Sequence, residues 1–165
     1  FIYEFYNNDN FNLVKTINID NKFRTSPSGL YFFQNFLVVS FYLSNEILIY
    51  DLNGYKLISH LYNGMFENPL SIYTLQNNLL VSSHLGDKII AINNNKLVNV
   101  KIAKNSLNYP WGMAAEKGYI YIANLGLKNN KQPFVSKYNF ANDKLLSLSL
   151  KEELFNEGIN QLRVI

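Results

Sequence analysis

The sequence predicts an all-β chain of four-stranded antiparallel sheets repeated along its length, and three observations predict it. Three proline-centred segments echo one another: Ser26-Pro27-Ser28-Gly29-Leu30, Asn68-Pro69-Leu70-Ser71-Ile72 and Tyr109-Pro110-Trp111-Gly112-Met113, with the prolines 42 and 41 residues apart. Apolar runs dense in Ile, Val, Tyr and Phe recur at matching distances after each proline, bounded by Asn, Gly, Asp and Ser. No stretch carries the sustained apolar periodicity of a long amphipathic helix. A period near 40 residues with four short strands per unit is that of a β-propeller blade rather than of a helical repeat.

Each unit opens on a strand A at its proline. Strand B is Phe36-Leu37-Val38-Val39-Ser40, then Leu79-Leu80-Val81-Ser82, then Tyr119-Ile120-Tyr121-Ile122-Ala123. Strand C is Ile47–Asp51, Ile89–Asn93 and Phe134–Asn139. Strand D follows Asn53-Gly54, Asn94-Asn95 or Asn142-Asp143, as Lys56-Leu57-Ile58, Lys96-Leu97-Val98 and Lys144-Leu145-Leu146. Asn-Gly predicts a tight primed turn because both residues tolerate positive φ, and Asn-Asn and Asn-Asp serve the same purpose less comfortably. Helical character is confined to Leu150–Asn156, and Gly158 ends it within about two turns.

The ends fit the same register. Ile2-Tyr3-Glu4-Phe5-Tyr6 matches the C runs, Leu13-Val14-Lys15-Thr16-Ile17 the D runs, and Asn160–Ile165 an A strand. The expected organisation is one partial propeller domain over 1–165: strands C and D at 1–19, blades at 26–60, 68–102 and 109–150, and a strand A at 160–165. An open blade leaves an unpaired edge and an uncovered apolar face. A larger ring of six to eight blades is therefore expected, about four blades' worth of it in this chain. The rest comes from further polypeptide or, in the alternative, from self-association.

Composition bounds the function loosely. The 165 residues are 48% hydrophobic and 15% aromatic, enough for a core, with 16% charged residues and a net charge of +3. That balance is too mild to argue for nucleic acid by itself. Absence of cysteine excludes disulfides, thiolate metal sites and a cysteine nucleophile. No apolar run approaches the roughly 20 residues of a membrane-spanning helix. No Ser-His-Asp order, glycine-rich phosphate loop, CxxC pair or HExxH occurs.

The segment Pro110-Trp111-Gly112-Met113-Ala114-Ala115-Glu116-Lys117-Gly118-Tyr119-Ile120-Tyr121-Ile122-Ala123-Asn124 resembles the NHL and YVTN-type propeller repeat. That repeat has a proline-glycine opening, an apolar strand, a turn glycine and a strand ending in Ala-Asp or Ala-Asn. The other two units keep the skeleton, with Gly29 and Ser71 at the place of Gly112 and Ser40 and Ser82 at that of Ala123. The resemblance implies the fold and an extracytoplasmic setting. It leaves activity open, since such rings include protein scaffolds, RNA binders, lyases and metal-dependent lactonases.

In propellers of this kind the D-to-A and B-to-C loops share one face. Here that face is expected to carry Tyr42, His84, Tyr109, Trp111, Asn124 and Lys128 as binding residues, beside Arg24, Asn45, Glu67, Asn68, Asp87, Lys88, Asn108 and Lys131. The insertion Leu125–Pro133 makes its longest loop, and long loops on rigid scaffolds carry function. Trp111 is either a stacking platform or packing between blades. His84 is either a base or a hydrogen-bonded loop residue, and His60 is the weaker histidine.

Four classes compete for this face. A lactonase needs carboxylate and amide oxygens converging on a hard cation, and the positions after the three prolines, Ser28, Leu70 and Trp111, lack the family's Asn. No metal site, cofactor or catalytic residue is therefore assigned. A lyase has only His84, with Tyr42 or Tyr109, for proton transfer. Single-stranded RNA is the alternative partner, served by stacking on Tyr42, Tyr109 and Trp111 and by Arg24, Lys88, Lys128 and Lys131, but interrupted by Glu46, Glu67, Asp87 and the segment Lys151-Glu152-Glu153. A non-catalytic binding module or scaffold with a protein partner is favoured, with Phe41, Tyr42, Leu43, Tyr62, Met65 and Phe66 as interface candidates unless neighbouring blades bury them.

Overall fold

The computed structural model describes residues 2–5, 11–17, 26–62, 64, 66–75, 77–93, 96–100, 106–128 and 132–149. Strands β1 (Ile2–Phe5) and β2 (Phe11–Lys15) form an antiparallel pair. Three four-stranded sheets follow. The first holds β3 (Pro27–Phe33), β4 (Phe36–Phe41), β5 (Glu46–Asp51) and β6 (Lys56–Tyr62). The second holds β7 (Pro69–Leu75), β8 (Asn78–Ser83), β9 (Lys88–Asn93) and β10 (Lys96–Asn99). The third holds β11 (Pro110–Glu116), β12 (Tyr119–Asn124), β13 (Phe134–Asn139) and β14 (Lys144–Ser149). Strands neighbour one another in chain order within every sheet, the meander of a propeller blade. The expected strand at 160–165 and the helical excursion at 150–156 lie outside the described residues.

Each opening proline sits at the first position of its sheet, where a missing N–H costs no ladder bond. The ladder slips just after it in all three sheets, between Pro27 and Gly29, Pro69 and Ile72, and Pro110 and Met113. The slip re-aims the first residues of the strand, the usual effect of a bulge.

Period-two alternation then sorts side chains to opposite faces of a sheet. Leu79, Val81, Ile90 and Ile92 of the second sheet face Val38, Ile47 and Ile49 of the first, with Ile72 and Phe66 in the same core. Their neighbours Leu80, Ile89 and Ala91 face the other way, into a core with Met113, Ile120, Ile122 and Tyr138 of the third. On its far side the first sheet buries Leu37, Val39, Phe41, Leu48 and Tyr50, with Ile17 packed against them. Burying one such aliphatic side chain contributes about 1.5–3 kcal/mol, so two-sided burial welds consecutive sheets face to face.

Two expectations need correction. The Asn53-Gly54 pair does not form a two-residue primed turn. Asp51 pairs with Lys56 across a four-residue loop, and the left-handed residue is Tyr55 at φ 53°, not Asn53 or Gly54. Asn142-Asp143 behaves alike: Asn139 pairs with Lys144, and Asp143 is left-handed at φ 54°. A four-residue loop built on a type I turn needs a left-handed residue only at its end. Tight two-residue turns with a left-handed first residue join strands A and B instead: Lys117-Gly118, with φ 48° and 83°, between β11 and β12, and Gln34-Asn35, with Gln34 at φ 54°, between β3 and β4. Second, Phe41 and Phe66 are core residues, 2% and 1% exposed, whereas Leu43 and Tyr62 are exposed; Met65 lies outside the described residues.

Candidate functional site on the loop face

The B-to-C turns Tyr42–Asn45 and His84–Asp87, and the longer connection starting at Leu125, all spring from the same end of their sheets. Each donates its first amide to the carbonyl of the residue before the sheet's proline: Tyr42 to Ser26 at 2.9 Å, His84 to Asn68 at 3.1 Å and Leu125 to Tyr109 at 3.2 Å. Turns and blade openings therefore share one face. The residues before the prolines are all left-handed, Ser26 at φ 61°, Asn68 at 55° and Tyr109 at 53°, as are the turn ends Asn45 at 57° and Asp87 at 49°.

Those turn ends link neighbouring sheets. Asn45 Oδ1 accepts the Asn68 amide at 2.7 Å, and Asp87 Oδ1 accepts the Tyr109 amide at 2.7 Å. A second acceptor serves the residue before: Ser83 Oγ takes the Glu67 amide at 2.8 Å, and Asn124 Oδ1 takes the Asn108 amide at 3.0 Å. Buried backbone N–H groups without partners are costly. These side chains thus fix the irregular backbone that no ladder satisfies.

His84 lies at the centre of the face. Its ring centroid is 4.9 Å from Tyr109, 5.3 Å from Trp111 in an edge-on arrangement and 5.9 Å from Tyr42, so three successive sheets contribute. The histidine is only 4% exposed, while the three aromatic rings are half-buried. The Pro110 carbonyl oxygen lies 3.3 Å from Nδ1 and can only accept, so Nδ1 carries the proton and Nε2 the lone pair. Burial pulls the imidazole pKa below its ordinary value, against smaller opposing pulls from the Pro110 carbonyl and Asp87. The ring is neutral at pH 7.

Lys128 closes one side. Its ammonium pairs with the second oxygen of Asp87 and stands 5.1 Å over the Tyr109 ring, and the hydrogen bond to Asp87 raises its pKa. The Asn108 carboxamide clamps the Lys128 backbone, donating to its carbonyl and accepting its amide, both at 2.9 Å. Lys88 pairs with Glu67 at 3.8 Å.

Of the residues expected here, Tyr42, His84, Tyr109, Trp111 and Lys128 come together. Asn124 lies beneath them, fully buried, its carboxamide committed to the Asn108 amide, the Ile122 carbonyl and Ser136 Oγ. Arg24 and Lys131 are outside the described residues. His60 belongs elsewhere: it bonds Glu46 at 2.8 Å and stacks on Tyr62. Sequence reasoning missed the linking role of Asn45 and Asp87. Its signal was their shared place immediately before strand C. Among the described residues no group of three or more histidines and carboxylates is placed to hold a metal ion, and no helix is long and apolar enough to cross a membrane.

No protein-family model matches the chain, and no curated protein matches it in sequence. Solved structures do. A streptogramin B lyase structure superposes with a TM-score of 0.65 at 10% identity, covering 79% of this chain and 42% of the other. A nidogen/laminin complex gives 0.63 at 14% identity, covering 76% and 49%, and the computationally designed Ika4 protein gives 0.58 at 10%, covering 74% and 71%. The chain spans less than half the length of the two natural proteins. At these identities the likeness shows the fold alone: three consecutive β-propeller blades flanked by a strand pair.

Proposed function

We propose that the chain is a binding module whose loop face, centred on His84, receives a protein partner. The observation that carries this reading is the cluster itself: Tyr42, Tyr109 and Trp111, half-buried around one neutral imidazole, on backbone fixed by inter-sheet hydrogen bonds. Aromatic residues held rigidly at a surface give contact area at small entropic cost and dominate interface hot spots. The lysines beside them are paired with Asp87 and Glu67. Among the described residues, that leaves RNA, the other macromolecular candidate, little positive field to read. A propeller structure solved as a nidogen/laminin complex is in keeping with a protein partner.

Site-specific photocrosslinking in the source cells tests the reading. A photoreactive residue at Leu85 on the loop face is expected to capture a defined protein. The same residue at Asn53, on a C-to-D turn at the other end of the blades, is expected not to. Capture from Asn53 alone contradicts it.

One observation favours a second reading, a lyase. The Nδ1–H tautomer leaves a neutral Nε2 lone pair, the form a general base requires, and one structural neighbour is a lyase. Turnover of a small-molecule substrate that disappears in His84→Gln, with Tyr109→Asn retaining part of it, supports that reading over the first.

A further inference from the structure

The Asn53-Gly54 pair has no conformational duty in its loop. The left-handed residue there is Tyr55, Gly54 does not take a positive φ, and a Cβ built on Gly54 would meet nothing closer than the Lys56 side chain at 3.8 Å. Glycine is required where the backbone turns left-handed or where a neighbour approaches closely, and neither holds here. What the pair presents is chemistry: a carboxamide followed by a main-chain N–H that no Cβ shields.

Its surroundings separate Asn53 from the other loop asparagines. Both Asn53 and Gly54 are exposed. The main chain is held on the N-terminal side of the loop: the Asn53 N–H donates to Asp51 Oδ1 at 3.1 Å, the Asn35 carboxamide donates to the same oxygen at 2.8 Å, and the Leu52 N–H donates to the Asn35 carbonyl at 2.9 Å. Among the described residues, the Asn53 carboxamide has no hydrogen bond of its own, whereas those of Asn35, Asn45, Asn108 and Asn124 are all engaged. The matching loop of the third blade gives the sharpest contrast. There Asn142 Oδ1 accepts the Lys144 N–H at 3.2 Å, and the residue that follows is Asp143 rather than glycine.

We infer that Asn53 is a site of covalent modification by water, deamidating through a cyclic imide closed with Gly54. The Gly54 nitrogen bonds to Cγ of Asn53 as the Cγ–Nδ2 bond breaks; the Gly54 amide proton passes through solvent to Nδ2, which leaves as ammonia. Water then opens the imide. Addition at Cγ breaks the new bond and leaves aspartate at position 53. Addition at the main-chain carbonyl carbon breaks the original peptide bond instead and leaves isoaspartate, the chain now running through the side chain. Nothing is oxidised or reduced. Either product adds a negative charge two residues from Asp51. Isoaspartate also lengthens the main chain by one carbon, inside the loop that Asp51 and Lys56 close by pairing.

Prolonged warm incubation of the intact chain in neutral buffer made with heavy-oxygen water, followed by tryptic mapping in ordinary water, tests this. Asn53 falls in the peptide Thr25–Lys56 and Asn142 in Tyr138–Lys144, while the second Asn-Gly pair, Asn63-Gly64, is read separately in Leu57–Lys88. The expected result is uptake of heavy oxygen at position 53, located by fragmentation, with the aspartate and isoaspartate forms resolved as two peaks. Asn53→Asp supplies the marker for the first of them. Product is expected to accumulate at position 53 at least about tenfold faster than at Asn142, and Gly54→Ala, which sets a Cβ beside the attacking nitrogen, is expected to slow it by a similar factor. Gly54→Ala melts within a few degrees of the parent, so the loop it tests is intact. No product at position 53, equal rates at Asn53 and Asn142, or undiminished product in Gly54→Ala overturns the proposal, as does conversion without uptake of heavy oxygen.

Discussion

Asp87 Oδ1 accepts the backbone N–H of Tyr109 at 2.7 Å across the seam between the second and third blades, and Asn45 makes the same bond to Asn68 across the seam before it. One position therefore uses a carboxylate and a carboxamide interchangeably for the same task. The carboxylate's second oxygen is what differs, since it holds Lys128. Asp87→Ala leaves the Tyr109 amide without its partner and is expected to cost about 1–3 kcal/mol. Asp87→Asn keeps the acceptor and loses only a part-exposed ion pair, a change of about 0–1 kcal/mol. Urea denaturation of the two variants checks the ordering.

Tyr109 holds a left-handed backbone, φ 53°, where the equivalent residues are Ser26 and Asn68. A bulky side chain is strained there, and Asn tolerates the conformation best after Gly. Tyr109→Asn should relieve about 1 kcal/mol of that strain while losing the ring's packing on His84. The expected net change in stability is within about 1 kcal/mol of zero by chemical denaturation. It thereby offers a way to strip an aromatic group from the face without unfolding the blade.

His84 gives the fold a pH dependence of defined sign. Its folded pKa lies below the unfolded value of 6.5 because burial disfavours the charged ring. The stability it contributes is complete above the unfolded pKa and is lost as pH falls through the folded one, since the unfolded chain binds the proton more readily. Thermal melts should show the parent losing more stability between pH 7 and pH 5 than His84→Gln does. Equal slopes would mean that the imidazole is not buried as described.

Gly29 marks a close approach between the A strands of the first two blades. A Cβ there would press on the Leu70 carbonyl oxygen and stand 2.6 Å from Ser40 Oγ. Both are held in place, because Ser40 Oγ itself donates to that carbonyl at 3.2 Å. Gly29→Ala is expected to cost about 1–3 kcal/mol through overpacking. Gly54→Ala, whose nearest neighbour is the flexible Lys56 side chain at 3.8 Å, should be neutral or slightly stabilising. Differential scanning calorimetry separates the two.

The strands were legible because alternation and repetition point the same way: Val38, Leu80 and Tyr121 fall at one strand position, and so do Val39, Val81 and Ile122. Turn geometry was less so. Asn53-Gly54 carries the residues of a primed turn, yet the pairing of Asp51 with Lys56 decides the loop length and moves the left-handed residue to Tyr55. Phe41 and Phe66 read either as interface aromatics or as residues buried by neighbouring blades, and packing between sheets decides for the core. The gathering of Tyr42, Tyr109 and Trp111 around His84 follows from the shared face. Their common contact with one ring depends on the seam between blades, which no single repeat encodes.

Partner binding at the loop face is the central proposal. Its most direct measurement is the affinity of the protein captured by crosslinking from Leu85, compared between the parent chain, Tyr109→Asn and Trp111→Ala, with Asn53→Ala at the opposite end as the control. Binding is expected to be at least about tenfold weaker in both aromatic variants, each still folded, and unchanged in the control. Unchanged affinity in both aromatic variants, or a loss confined to Asn53→Ala, would contradict it.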